Sequence, residues 1–106
     1  MESDKIIIRE ALRRREIFNN LPKHLKCLKD AILKIDSSAE VYLFGSVAEN
    51  RHTYLSDIDI LIITNKHPAE VIARLYQEGF TDPFEFHIED KDQLERYKRY
   101  SRLIRL

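Results

Sequence analysis

This chain is poor in the residues that mark special architectures. A single cysteine, Cys27, rules out an intrachain disulfide and suits a reducing compartment. Glycine occurs twice, proline three times and tryptophan not at all in 106 residues, and no repeat or low-complexity segment is present. No apolar run approaches the ~20 residues of a membrane span. The N-terminal stretch MESDKIIIREALRRRE lacks the apolar core of a signal peptide. The expected location is therefore cytoplasmic, with no membrane partner. An excess of charge of one sign is also missing: 18 basic residues balance 18 acidic ones. A globally basic nucleic-acid binder is not indicated, although nucleic acid as a partner stays open.

The length predicts one domain over residues 1–106 that buries between ~60% and ~70% of its unfolded surface. An activity needing two large ligands would borrow surface from a partner protein or a second copy of the chain. Apolar spacing predicts a helix over Asp4–Leu21 and another over Lys23–Ile35, separated at Pro22. A short strand follows at Glu40–Phe44, then a short helix at Ser46–Glu49 and a polar loop at Asn50–Leu55. Asp57–Thr64 is apolar on both faces, as a central strand would be. A helix over Ala69–Gln77 ends at Gly79. Pro83–Glu89 alternates Phe84, Phe86 and Ile88 against Glu85, His87 and Glu89, the period of a strand; Lys91–Arg102 closes the chain as a helix. This order is an α/β (α+β) class: a small mixed β-sheet packed with helices.

Chemistry concentrates between Val41 and Thr64, VYLFGSVAENRHTYLSDIDILIIT. On a strand, Asp57 and Asp59 at i and i+2 leave the same face. Two ionised carboxylates beside apolar residues are costly and repel each other, and a divalent cation relieves both problems. Oxygen donors favour Mg²⁺ or Mn²⁺, ions that accompany substrate phosphates. Glu85, on the polar face of the next strand, is the natural third acid, with Glu89 as reserve. Gly45 and Ser46 offer the phosphate side: glycine allows close backbone approach, and N–H groups opening a helix favour anions. Ser56 could cap locally or touch the same phosphates.

Each piece alone has a plainer reading. Asp-x-Asp pairs are common in turns, and Glu85 suits the outer face of an edge strand. His87 reads as a hydrogen-bonded neighbour of the acids rather than a ligand. His24, His52 and His67 lack metal spacing and read as solvent-facing, and Cys27 as inert. Arg13-Arg14-Arg15 and the Arg96–Arg105 cluster read most simply as solvated helix faces.

Together, Gly45, Ser46, Ala48, Ser56, Asp57 and Asp59 fit G-S-x-A-R-G-x5-S-D-x-D without a gap. The chain thus resembles the minimal nucleotidyltransferases of the DNA polymerase β-like superfamily over roughly Ala39–Glu89. Glu49-Asn50 stands where that family has Arg-Gly, which removes one cation beside the triphosphate and puts turnover in question; Arg51 is the nearest substitute. Asn50 is easier to accept, because Asn tolerates left-handed backbone angles. The resemblance implies the nucleotidyltransferase fold and metal-dependent transfer of a nucleoside monophosphate, AMP above all, from an NTP such as ATP to an acceptor hydroxyl. It implies Asp57, Asp59 and Glu85 as catalytic metal ligands, and Gly45, Ser46 and Ser56 at the phosphates. It further implies a HEPN-type helical partner in a toxin–antitoxin pair. The competing expectations are a non-catalytic antitoxin or regulatory subunit of such a pair, and a nucleotide sensor without turnover.

Overall fold

The apolar run Ile58–Ile63 organises the molecule, which is described over residues 1–106 in a computed structural model. This strand, β2, lies inside a four-stranded sheet of order β3-β2-β1-β4, where β1 is Glu40–Phe44, β3 is Phe84–Glu89 and β4 is Ile104–Arg105. Its neighbours cover both edges: β1 runs antiparallel to it and β3 parallel. A strand buried on both faces has to be apolar on both, so the central position expected from its composition is the one observed.

The helices are α1 (Glu2–Asn19), α2 (Leu21–Ile35), α3 (Gly45–Ala48), α4 (Pro68–Gln77) and α5 (Leu94–Tyr100), with one 3₁₀ turn at Lys91–Gln93. Prolines mark two starts: Pro22 and Pro68 both occupy the first turn of their helix, where a missing N–H costs nothing. One face of β2 carries Ile58, Ile60 and Ile62. They pack with Leu28, Ala31 and Ile32 of α2 and Val71 and Leu75 of α4 in the larger core. The opposite face carries Asp59, Leu61 and Ile63. There Leu61 and Ile63 pack with Tyr42 and Leu94 in a smaller cluster joined by Phe44 and Tyr97. No helix is long and apolar enough to cross a membrane.

The C-terminus departs from its sequence pattern. The helix expected over Lys91–Arg102 stops at Tyr100, and Ile104–Arg105 forms β4, paired antiparallel with β1 at Tyr42 and Leu43. The pairing occupies the free edge of β1, a long-range gain that helical periodicity does not register. α5 packs Leu94 and Tyr97 against this sheet face, with the Tyr97 ring edge-on to Phe44 at 5.6 Å. The first break also shifts: α1 ends at Asn19 and α2 starts at Leu21.

One polar contact joins α2 to the sheet. The buried Thr64 donates its hydroxyl to Asp36 Oδ2 at 2.5 Å, while Ser38 donates its N–H and hydroxyl to Oδ1 at 3.0 and 2.7 Å. The Thr64 hydroxyl, then Ser38, hold the Asp36 carboxyl below its ordinary value of 3.8. A lowered carboxylate stabilises the fold above the ordinary value, and that contribution disappears as pH falls through the folded one. Thr64→Val should cost about 1–2 kcal/mol at neutral pH and less in acid, once the Asp36 carboxyl is protonated in the folded protein. Urea melts at the two pH values measure this; an equal loss at both would assign the effect to packing instead.

Candidate functional site

The sheet register builds the site. Phe44 of β1, Asp59 of β2 and Glu85 of β3 stand in one row across the sheet, with Tyr42, Leu61 and His87 in the next. Side chains of one row share a face, so Asp59 and Glu85 emerge side by side, with His87 diagonal to Asp59. His87 Nε2 lies 3.4 Å from Asp59 Oδ1 and 4.0 Å from Glu85 Oε1. One ligand atom from each of Asp59, Glu85 and His87 falls within 4.8 Å of the others, a spacing that a single cation could bridge.

Asp57 is placed differently. It lies one residue before β2, exposed, at the end of the loop that follows α3. Its carboxylate is outside the 4.8 Å group, yet its negative charge reaches both other acids. Burial, with the nearby Asp57 charge, pushes the Asp59 carboxyl up; the hydrogen bond and charge of His87 oppose this. Glu85 is also pushed up, first by desolvation and then by the Asp59 charge. Glu85 keeps 53% of its side chain exposed, so its desolvation effect is heavily screened, whereas Asp59 at 22% feels the full environment. Two carboxylates and an imidazole at this spacing could hold a divalent ion: the carboxylate oxygens suit hard cations, and the imidazole also suits Mn²⁺.

Gly45 closes the other side. Its φ is +77°, and a Cβ there would overlap the Asp59 carboxylate. The residue is glycine for two reasons: the backbone turns left-handed out of β1, and the acid occupies the space a side chain would fill. Ser46 follows at the start of α3, half-buried, beside this turn. The Ser56 hydroxyl accepts the Thr53 N–H at 2.9 Å and so caps the loop locally, the first of its two expected roles. At the family's Arg-Gly position, Glu49 pairs with Arg51 at 2.8 Å, so the acid and the candidate substitute cation neutralise each other. Asn50 takes φ +56°, the left-handed angle that the replaced glycine would favour.

Several residues read from sequence as solvent-facing are engaged. Arg14, with a side chain only 14% exposed, donates Nη2 to the Ser56 carbonyl at 2.6 Å, Nε to the Tyr54 carbonyl at 3.0 Å and Nη1 to Asp82 Oδ2 at 2.7 Å. Arg13 reaches the carbonyls of Gly79 and Asp82, and Arg15 lies over the Tyr54 ring. His52 stacks on Phe18 with ring centroids 5.4 Å apart, and His67 caps α4 by accepting the Ala69 N–H. His24 pairs with Glu16, and Cys27 is exposed. The only sequence signal for Arg14 was an arginine run, which a solvated helix shows equally well.

A sequence model of the nucleotidyltransferase domain family matches residues 21–105, the whole sheet and every helix after α1. Among solved structures, the chain is similar to a crystal structure described only provisionally as a nucleotidyltransferase. The two share 34% identity over 78% of this chain and 97% of that one, with a TM-score of 0.65. No protein of curated function matches the chain.

Proposed function

Because this chain belongs to the nucleotidyltransferase domain family, we propose that it moves a nucleoside monophosphate, AMP in the first instance, from an NTP to an acceptor hydroxyl and releases pyrophosphate. The observation that carries the reading is the meeting of Asp59, Glu85 and His87 beside the Gly45 turn, with Asp57 one residue before the strand. Asp57, Asp59 and Glu85 are the residues that would hold Mg²⁺ or Mn²⁺. Such an ion supplies charge neutralisation at the triphosphate when bound. Gly45 and Ser46 take the β- and γ-phosphates through backbone N–H groups and the Ser46 hydroxyl. Ser56 contributes by shaping the loop behind Asp57, and its hydroxyl is a further phosphate donor if the Thr53 contact opens.

The acceptor enters beside the half-exposed Glu85. Its hydroxyl oxygen bonds to the α-phosphorus, the bond from that phosphorus to the bridging oxygen breaks, and pyrophosphate leaves. The hydroxyl proton passes to a Glu85 carboxylate oxygen. His87 orients Asp59 through the 3.4 Å contact. A HEPN-type helical protein is the acceptor or partner this reading favours.

Incubation with α-labelled ATP, Mg²⁺ and candidate acceptors, a HEPN-type protein among them, tests the proposal. Label should transfer, and Asp57→Asn should reduce transfer by about 10²–10³-fold. Transfer unchanged by that substitution would sink the assignment. A second reading, a non-catalytic antitoxin or regulatory subunit, draws support from the exposed apolar residues Ile6, Ile7, Ile8 and Leu12 on α1. It expects a partner complex whose neutralising effect survives Asp57→Asn.

A further inference from the structure

We propose that Arg14 is a positioning residue for the acidic site: from α1 it fastens the loop that delivers Asp57 to the turn that precedes β3 and Glu85. The inference rests on the metal–triphosphate reading of that site. Asp59 and Glu85 need no such help, because both stand within paired strands whose ladder sets their spacing. Asp57 lies outside β2, and its placement depends on the loop behind it.

Arg14 acts on that loop at two points. Nη2 holds the carbonyl of Ser56, the residue before Asp57, and Nε holds the carbonyl of Tyr54. The other end of the guanidinium grips the Asp82 carboxylate, which sits just ahead of Pro83 and β3. A planar fork with several fixed donors can tie three acceptors in one geometry, which a lysine ammonium cannot do. The neighbours reinforce the grip. Tyr54 donates its hydroxyl to Asn19 Oδ1 at 2.8 Å, and its ring packs edge-on against Phe18. α1 lies before the family-matched region, residues 21–105. Residues that orient a metal-binding carboxylate typically change metal affinity 10- to 100-fold when replaced.

The test is a double-mutant cycle read as Mn²⁺ affinity by electron paramagnetic resonance, using the full chain. Arg14→Gln should weaken Mn²⁺ binding about tenfold, and Arg14→Lys by a smaller factor. In an Asp57→Asn background, Arg14→Gln should change affinity by less than about twofold, because its target has gone. Equal losses in the two backgrounds would overturn the inference, since a merely structural role predicts them. Mn²⁺ binding that Arg14→Gln leaves intact would overturn it too, without touching the reading of the site. A wild-type chain that binds no Mn²⁺ would overturn both. Circular dichroism checks folding, and if Arg14→Gln does not fold, Arg14→Lys carries the same cycle.

Discussion

Asp59→Asn should cut nucleotidyl transfer about 10³-fold while making the metal-free protein more stable. The carboxylate is largely buried beside Leu61, in a row with Glu85 and near Asp57, and its carboxyl is pushed above 3.8 chiefly by burial. A group whose folded value is raised binds more protons in the folded than in the unfolded state between the two values. Its contribution therefore falls as pH rises through that window, and the whole penalty is present at neutral pH. Asparagine keeps the shape and can still accept from His87 Nε2, but it carries no charge. The variant should gain about 0.5–2 kcal/mol at neutral pH, a familiar consequence of relaxing a charged site. The gain should vanish below the ordinary carboxylate value. Mn²⁺ should invert the ranking: at a hundred times its dissociation constant a bound ion adds about 2.7 kcal/mol, and the variant loses most of that. Transfer should fall by about 10³-fold. Thermal melts with and without Mn²⁺, set beside the label assay, measure both arms. A variant less stable than the wild type in the absence of metal would show that the Asp59–His87 contact outweighs the repulsion.

Gly45→Ala should damage fold and site together. An alanine held at φ +77° costs about 1–2 kcal/mol in backbone strain alone. Its Cβ also overlaps Asp59 Oδ2 and comes within 3.1 Å of Cγ and 3.3 Å of Cβ, so this short side chain relieves the collision only by swinging its carboxylate away. The total loss should be about 2–4 kcal/mol, with transfer reduced at least about 10²-fold as the carboxylate is displaced. Gly79 supplies the control. Its φ is +90°, but nothing lies within 4 Å of a Cβ built there. Gly79→Ala should cost only the backbone term and leave transfer near its normal rate. Urea melts and the label assay on the two variants separate strain from collision. Equal behaviour would remove the Asp59 contact from the explanation.

Much of the fold was legible along the chain because its signals are local. The isoleucines of β2 mark a strand buried on both faces, and the structure places it inside the sheet with partners on both edges. Alternation from Phe84 to Glu89 marks a strand with one polar face, and that face holds Glu85 and His87. β4 was not legible: two residues paired to a strand about sixty positions earlier leave no periodic trace, and the helical pattern before them runs on unbroken. Nor was the involvement of Arg14, whose partners lie 42 and 68 residues away.

By itself, the order of residues singled out the candidate side chains, because Gly45-Ser46 and Ser56-Asp57-Ile58-Asp59 stand at the ends of apolar runs, and period-two geometry fixed the face of Asp59. Only the tertiary structure decided which of them meet. Parallel pairing of β2 with β3 brings Asp59 opposite Glu85 and His87 within reach, while Asp57 stays on a loop that Arg14 of α1 grips at Ser56. Only packing explains why Gly45 admits no side chain. These outcomes depend on contacts between distant segments, and a residue's local pattern is the same whether or not such a contact forms.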